Sequence, residues 1–256
     1  MHLIGLHGRR GSGKNQAAAY IAEWAESQGL VAADAGFADK LKYAAMTALG
    51  FVVTQSDAIV LADSLKVDGE ITTAIPEQSV LYTIDGRKYL QLFGTEAHRD
   101  IFDTDFWVNA LLPLPFSLAP GGAPVYGWHK SFHAKCESCS GVGGLWGYDP
   151  ADEDHVEAVW VPCQTCGGSG RSEALADIAC VTDVRFENEA ERIHLLGGEN
   201  WFIDRPFDVE ADDHASEQPL PEDLIDVRID NGGTLDQFRD LIHAACHVSI
   251  GNKETQ

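Results

Sequence analysis

The chain has 256 residues, 45% of them hydrophobic, which suits one large domain or one domain with a sizeable insertion. Eighteen basic against forty acidic residues leave a formal charge of −22, which argues against broad nucleic-acid binding but permits a local positive pocket for a nucleotide. No apolar stretch approaches the roughly 18–20 residues that span a bilayer, so no membrane association is expected.

The first apolar run, Leu3–Leu6, reads as a buried parallel strand. It feeds Gly8-Arg9-Arg10-Gly11-Ser12-Gly13-Lys14-Asn15, which fits the phosphate-loop pattern G-x-x-x-x-G-K-[ST] except at Asn15, where a hydroxyl residue would meet magnesium. Glycines let successive N–H groups point inward at a phosphate, and Lys14 adds a mobile positive charge. The alanine-rich segment Gln16–Ala25 is helical by propensity, so strand, loop and helix N-terminus together make an anion site. A strand that leads straight into the loop also argues against a signal peptide.

Leu30–Ala35 reads as a second strand, and Phe37-Ala38-Asp39-Lys40-Leu41-Lys42 opens a helix that runs to about Leu49 and stops at Gly50. Residues 51–86 show mixed periodicity and turn signals. A long helical pattern then extends from Lys88 to about Leu111, with breaks expected near Gly94 and at the aspartates of 100–105. From Pro113 to Gly170 helical periodicity vanishes, and glycine, proline, aromatics and four paired cysteines dominate. Regularity returns with a strand over Asp177–Asp183, a helix over Glu187–Leu196 and a strand over Asn200–Asp204. After an acidic irregular stretch from Arg205 to Glu222 come a strand over Leu224–Ile229, a turn at Asn231-Gly232-Gly233, and a closing helix capped by Thr234. Strands alternating with helices imply an α/β fold with a mostly parallel sheet covered on both faces. The organisation expected is a core in two parts, 1–112 and 176–250, an inserted module at 113–175, and a tail at 251–256.

The module carries Cys136-Glu137-Ser138-Cys139 and Cys163-Gln164-Thr165-Cys166, each followed by x-G-x-G. Two residues between cysteines let both thiolates grip one tetrahedral ion, and the 23 residues between Cys139 and Cys163 leave room for a hairpin that brings the pairs together. Four thiolates close the coordination sphere, so a structural zinc is expected, with His129 and His133 left as surface residues. The repeat resembles, locally, the cysteine motifs of the DnaJ zinc domain. Cys180 and Cys246 read as small core residues.

Lys40, Lys42, Arg87, Lys88, Arg99, Arg185 and Arg205 are a large share of the scarce basic residues, and many sit at predicted element ends. Phosphoryl transfer needs such cations, because charge on three phosphate oxygens must be balanced while donor and acceptor are held in line. Asp183, at the carboxyl end of an apolar strand, suits the Walker B role of holding magnesium through its water shell.

In their order along the chain, Gly8–Asn15, Phe37–Lys42, Arg87–Glu96 with Arg99 and Asp105–Val108, Thr182–Ala190, Asp204–Pro206, His214–Glu217 and Asn231–Leu235 resemble the deoxynucleoside monophosphate kinases of tailed bacteriophages. That resemblance covers most of the chain outside residues 113–175. It implies a three-layer P-loop NTPase fold of about five strands in the order 2-3-1-4-5, with a small zinc-ribbon-like insertion. It implies transfer of the ATP γ-phosphate, with magnesium, to a deoxynucleoside 5′-monophosphate in the cytoplasm of an infected bacterial cell. It leaves room for a homodimer.

On this reading Gly8–Asn15 cradle the donor phosphates, with Lys14 bridging β and γ, and Asn231, Gly232 and Thr234 flank the adenine. Asp183 and Asn15 position magnesium. Asp39, Lys42, Arg87, Gln91, Arg99, Trp107 and Arg185 bind the acceptor, and Arg205 swings in on the transferring phosphoryl. No general base is needed, since the acceptor is already an anion. The alternatives are another small-molecule P-loop kinase, of dephospho-coenzyme A or gluconate type, and a zinc interaction module whose loop is vestigial.

Overall fold

The computed structural model describes residues 1–50, 55–75, 80–114, 132–136, 138, 144–148, 158–165, 171–206 and 220–251. Cys139, Cys166, His129, the His214–Glu217 segment and the tail beyond 251 lie outside them. The chain divides into two compact units, one of residues 1–37, 108–134 and 174–256, the other of residues 38–107 and 135–173.

The first unit is built on a five-stranded, all-parallel sheet. Its strands are β1 (His2–His7), β2 (Ala32–Ala35), β9 (Ile178–Val184), β10 (Glu199–Asp204) and β11 (Val227–Asp230). Across the sheet they run β11-β10-β1-β9-β2. In chain numbering this differs from the expected 2-3-1-4-5, because six further strands, β3 to β8, intervene between β2 and β9 and lie in other sheets. Ranked among the five alone, the order is 5-4-1-3-2, which is the expected one read from the opposite edge.

Side chains alternate across this sheet with the two-residue period of a strand, so each face has its own core. Ile4, Leu6, Ile178, Cys180, Trp201 and Ile203 pack with Ala17, Ile21 and Trp24 of α1 (Lys14–Ser27) and Phe238, Ile242 and Cys246 of α7 (Leu235–Ser249). Leu3, Ala179 and Val181 face the other way, against Ala190 and Ile193 of α6 (Glu187–Leu195) and Val108 and Leu111 of α5 (Phe106–Leu111). Helices on both faces make the three layers, and each fully buried large side chain contributes about 1.5–3 kcal/mol. Cys180 and Cys246 belong to this core, at 1% and 0% exposure, as the sequence suggested.

The second unit holds α2, which begins at Phe37 and ends at Ala48, α3 (Gln55–Asp68), the antiparallel hairpin of β3 (Glu70–Ile75) and β4 (Val80–Asp85), and α4 (Gly86–Gln91). Ala45, Met46, Ala58, Ala62 and Leu90 form its core. A π-helical stretch, Leu92–Asp100, continues from α4 straight through Gly94. The expected break is therefore not at Gly94 but beyond the π-helix, at 101–105. Gly94 lies close against Leu41, whose Cδ1 would have to shift to admit a Cβ.

The same unit contains the antiparallel pair β6 (Gly144–Tyr148) and β7 (Ala158–Pro162), in register Gly144 with Pro162 through Tyr148 with Ala158. A short pair, β5 (His133–Lys135) and β8 (Arg171–Leu175), completes the described strands. Among the described residues no helix is long and apolar enough to cross a membrane.

Candidate functional site

In the first unit the glycine loop leaves the carboxyl end of β1 and enters α1 at Lys14. Gly8, Gly11 and Gly13 have φ of 151°, 79° and 104°, values that the loop's curvature demands and that L side chains rarely adopt. At Gly13 a Cβ would also stand 2.6 Å from Asn231 Nδ2. The Lys14 ammonium folds back over the loop, donating to the carbonyl of Gly8 and, at 2.9 Å, to that of Arg9. Arg9, Arg10 and Asn15 are exposed, whereas Ser12 is buried with no partner for its hydroxyl among the described residues.

Three neighbours fix this loop from outside. Asn231, buried at the end of β11, donates its amide Nδ2–H to the Ser12 carbonyl at 2.7 Å, while its backbone N–H donates to Asp204 O at 2.6 Å. Sequence placed Asn231 beside the donor adenine. Its buried amide braces the loop. Exposed Arg205, at the end of β10, donates from Nη1 to Gly11 O at 3.3 Å. His7, the residue before Gly8, bonds through Nδ1 to Val184 O at 3.0 Å and accepts the Leu220 N–H at Nε2. Because a carbonyl can only accept and an N–H only donate, these partners set the Nδ1–H tautomer. Gly232 and Thr234 are exposed just beyond. Thr234 caps α7, its hydroxyl accepting the Gln237 N–H at 3.2 Å.

Asp183 lies on β9, adjacent to β1, at the same carboxyl edge of the sheet from which the loop emerges. Its Oδ1 accepts the Phe37 N–H at 2.7 Å, which holds the carboxylate at the start of α2. Gly36 packs under this carboxyl, since a Cβ there would lie 2.9 Å from it. Hard carboxylate oxygens of this kind could hold magnesium, while Asn15 stands exposed on the first turn of α1. Arg185 is exposed two residues further on. Its backbone N–H and that of Phe186 donate to Glu189 Oε2 at 2.7 and 3.1 Å, so a buried glutamate sets the turn that carries the arginine.

The second unit carries the remaining residues expected at the acceptor. Lys42 is not a free cation: its ammonium lies 3.0 Å from Asp63 Oδ2 and 3.7 Å from Asp39 Oδ1. Lys66 reaches Asp63 Oδ1 at 3.1 Å. Burial alone would raise the Asp63 carboxyl, but hydrogen bonds from Lys42 and Lys66 outweigh it and hold the group below its ordinary value of 3.8. Arg87 and Gln91 are exposed on α4, and Arg99 is half-buried in the π-helix. Trp107 is buried, its indole N–H donating to Gly94 O at 3.0 Å, which makes it a packing residue of this unit.

No protein-family model and no curated protein matches the chain.

In the cysteine module, Cys136 and Cys163 bring their sulfurs to 4.0 Å. Two thiolates on one tetrahedral zinc, each about 2.3 Å from the metal, stand roughly 3.8 Å apart, so this separation fits a shared ion. The β6–β7 hairpin between the two pairs supplies the return that the spacing required. Among the described residues no group of three or more metal-ligating side chains assembles; Cys139 and Cys166 are outside them. His133 departs from expectation. It is half-buried, and its Nδ1 is enclosed with no hydrogen-bond partner among the described residues.

Sequence reasoning missed Asp63 and Lys66 altogether. An aspartate three residues before a lysine on a helix is a common surface pair, and nothing local announces that Lys42 joins it from 21 positions away.

Proposed function

We propose that this chain transfers the γ-phosphate of ATP to a deoxynucleoside 5′-monophosphate. The observation that carries the reading is the braced glycine loop at the start of α1, with Lys14 reaching back over it, Arg205 on Gly11, and Asp183 on the neighbouring strand. A helix N-terminus with inward N–H groups and a mobile ammonium favours a polyphosphate. On binding, the donor phosphates take Lys14 from the carbonyls of Gly8 and Arg9, and Arg205 moves from Gly11 to the transferring phosphoryl.

Asp183, with Asn15, holds the magnesium, which when bound neutralises charge on the phosphate oxygens. Arg185, Arg87, Lys42 and Arg99 balance the acceptor phosphate, and Asp39, Gln91 and Trp107 shape its surroundings. The acceptor oxygen is already anionic, so positioning and charge neutralisation perform the chemistry without a general base. Gly232 and Thr234 flank the base of the donor, with Asn231 acting through the loop.

We further propose that Cys136, Cys139, Cys163 and Cys166 hold one structural zinc. It gives the cysteine module a fold where the sequence provides no core of its own. Metal analysis of the purified protein is expected to find about one zinc per chain, and no zinc would refute this assignment.

A coupled ADP-release assay over dAMP, dCMP, dGMP, dTMP and small alcohols tests the kinase reading. Turnover with a deoxynucleotide supports it. Turnover with an alcohol alone assigns the chain to another kinase class, and none with any acceptor, joined to no thermal shift by ATP and magnesium, favours the vestigial loop.

A further inference from the structure

We propose that Lys42 and Lys66 form an oxyanion site for a phosphomonoester, and that Asp63 occupies this site as an internal substitute until the ligand arrives. The inference takes the acceptor as ligand from the kinase reading, but the site itself stands on side chains of the second unit alone.

Two ammonium groups approach the two oxygens of one carboxylate, at 3.0 Å from Lys42 and 3.1 Å from Lys66. That is the arrangement two cations adopt around an oxyanion. Basic residues number only 18 in the chain, so convergence of two on one point departs from a uniformly acidic surface. Burial is graded across the cluster. The Lys42 side chain is 11% exposed, Lys66 34% and Asp63 50%. The cations are therefore the more enclosed members and the carboxylate the outermost, able to turn into solvent while the ammonium groups stay.

What holds the cations is the core that Ala45 and Met46 of α2 share with Ala58 and Ala62 of α3 and Leu90 of α4, which anchors the helices that carry both lysines. A phosphomonoester carries about −1.5 to −2 charges and three strong acceptor oxygens, against one charge and two oxygens on Asp63. It therefore gains more from the two ammonium groups than the carboxylate gives up. Asp39, 3.7 Å from Lys42, remains as the partner that orients that lysine when Asp63 has left. Lys66 thus enters as a phosphate-binding residue, and Asp63 sets the threshold for binding by competing with the ligand.

The test is calorimetric titration of the full chain with inorganic phosphate, every arm carrying Lys14→Ala so that the glycine loop contributes equally little. Asp63→Asn is expected to tighten phosphate binding about fivefold, the scale of a partly exposed ion pair, and Lys66→Gln to weaken it about fivefold. Circular dichroism establishes that each variant is folded, and if Asp63→Asn fails to fold, Lys66→Gln decides. Phosphate binding unchanged by Lys66→Gln, or unchanged or weakened by a folded Asp63→Asn, overturns the inference. With Lys14 intact, the KM for the deoxynucleotide is expected to fall in Asp63→Asn. Phosphate binding that follows the expected pattern in a chain that phosphorylates no deoxynucleotide refutes the kinase reading and leaves this site standing. Normal kinase turnover with unaltered phosphate binding does the reverse.

Discussion

The side-chain amide of Asn231 donates to the carbonyl of Ser12 across 2.7 Å, joining the turn after the last sheet strand to the floor of the glycine loop. Both residues are buried, so the bond has no water to replace it. Asn231→Ala leaves that carbonyl unsatisfied and is expected to cost about 1–3 kcal/mol of stability. It also loosens the loop, so the thermal shift produced by ATP with magnesium should shrink. A variant with unchanged melting temperature and unchanged ATP response would show that the brace is idle.

Gly13 faces the same amide. Its φ of 104° and the 2.6 Å clearance to Asn231 Nδ2 leave no place for a methyl group. Gly13→Ala should therefore abolish ATP binding while the sheet beneath stays folded. Equilibrium dialysis with ATP is the check, and binding within twofold of the parent contradicts the account.

The thiols divide into two chemical classes. Burial pushes the Cys246 thiol up to about 12 and the Cys180 thiol well above its ordinary value, so neither presents a thiolate near neutral pH. Once chelation has opened the cysteine module, a thiol reagent is expected to label four cysteines per chain, those at 136, 139, 163 and 166, although Cys136 is itself buried in the folded protein. All six should react only after denaturation. Rapid labelling of Cys180 in the native state would contradict its place in the core.

Asp63 gives a pH signature of known sign. Its folded carboxyl lies below the unfolded value of 3.8, so its stabilisation is present above that value and is lost as pH falls through the folded one. The melting temperature of the parent should exceed that of Asp63→Asn at pH 6 by a few degrees at most, given the half-exposed pair, and the difference should vanish once the pH has fallen through the folded value. A difference that grows on acidification would reverse the assignment.

Much of the first unit was legible because its signals are local. Leu3–Leu6, Asp177–Asp183 and Asn200–Asp204 are short apolar runs bounded by turns, and they became β1, β9 and β10 within a residue or so. Thr234 caps the closing helix as the sequence suggested, its hydroxyl accepting the Gln237 N–H. In the second unit the pattern failed for a physical reason. Along α3 the buried positions include Ala58 and Ala62, while Val60 and Val67 are 67% and 75% exposed, so hydrophobicity does not mark the inner face. No glycine separates β3 from β4 in the sequence, and these strands went unread. The loop, Asp183 and Arg205 were visible as motifs, whereas the Lys42–Asp63–Lys66 cluster and the Asn231 brace are tertiary pairings that no spacing rule contains.

In the proposed function the braced loop and its lysine deliver a phosphoryl group to a deoxynucleotide. The most direct measurement is magnesium-dependent ADP release with each of the four deoxynucleoside monophosphates, run on the parent chain and on Lys14→Ala. The account predicts turnover with at least one of them, reduced by orders of magnitude in a Lys14→Ala protein that melts normally. Near-normal turnover in that variant, or no turnover of any of the four by the parent, would contradict it.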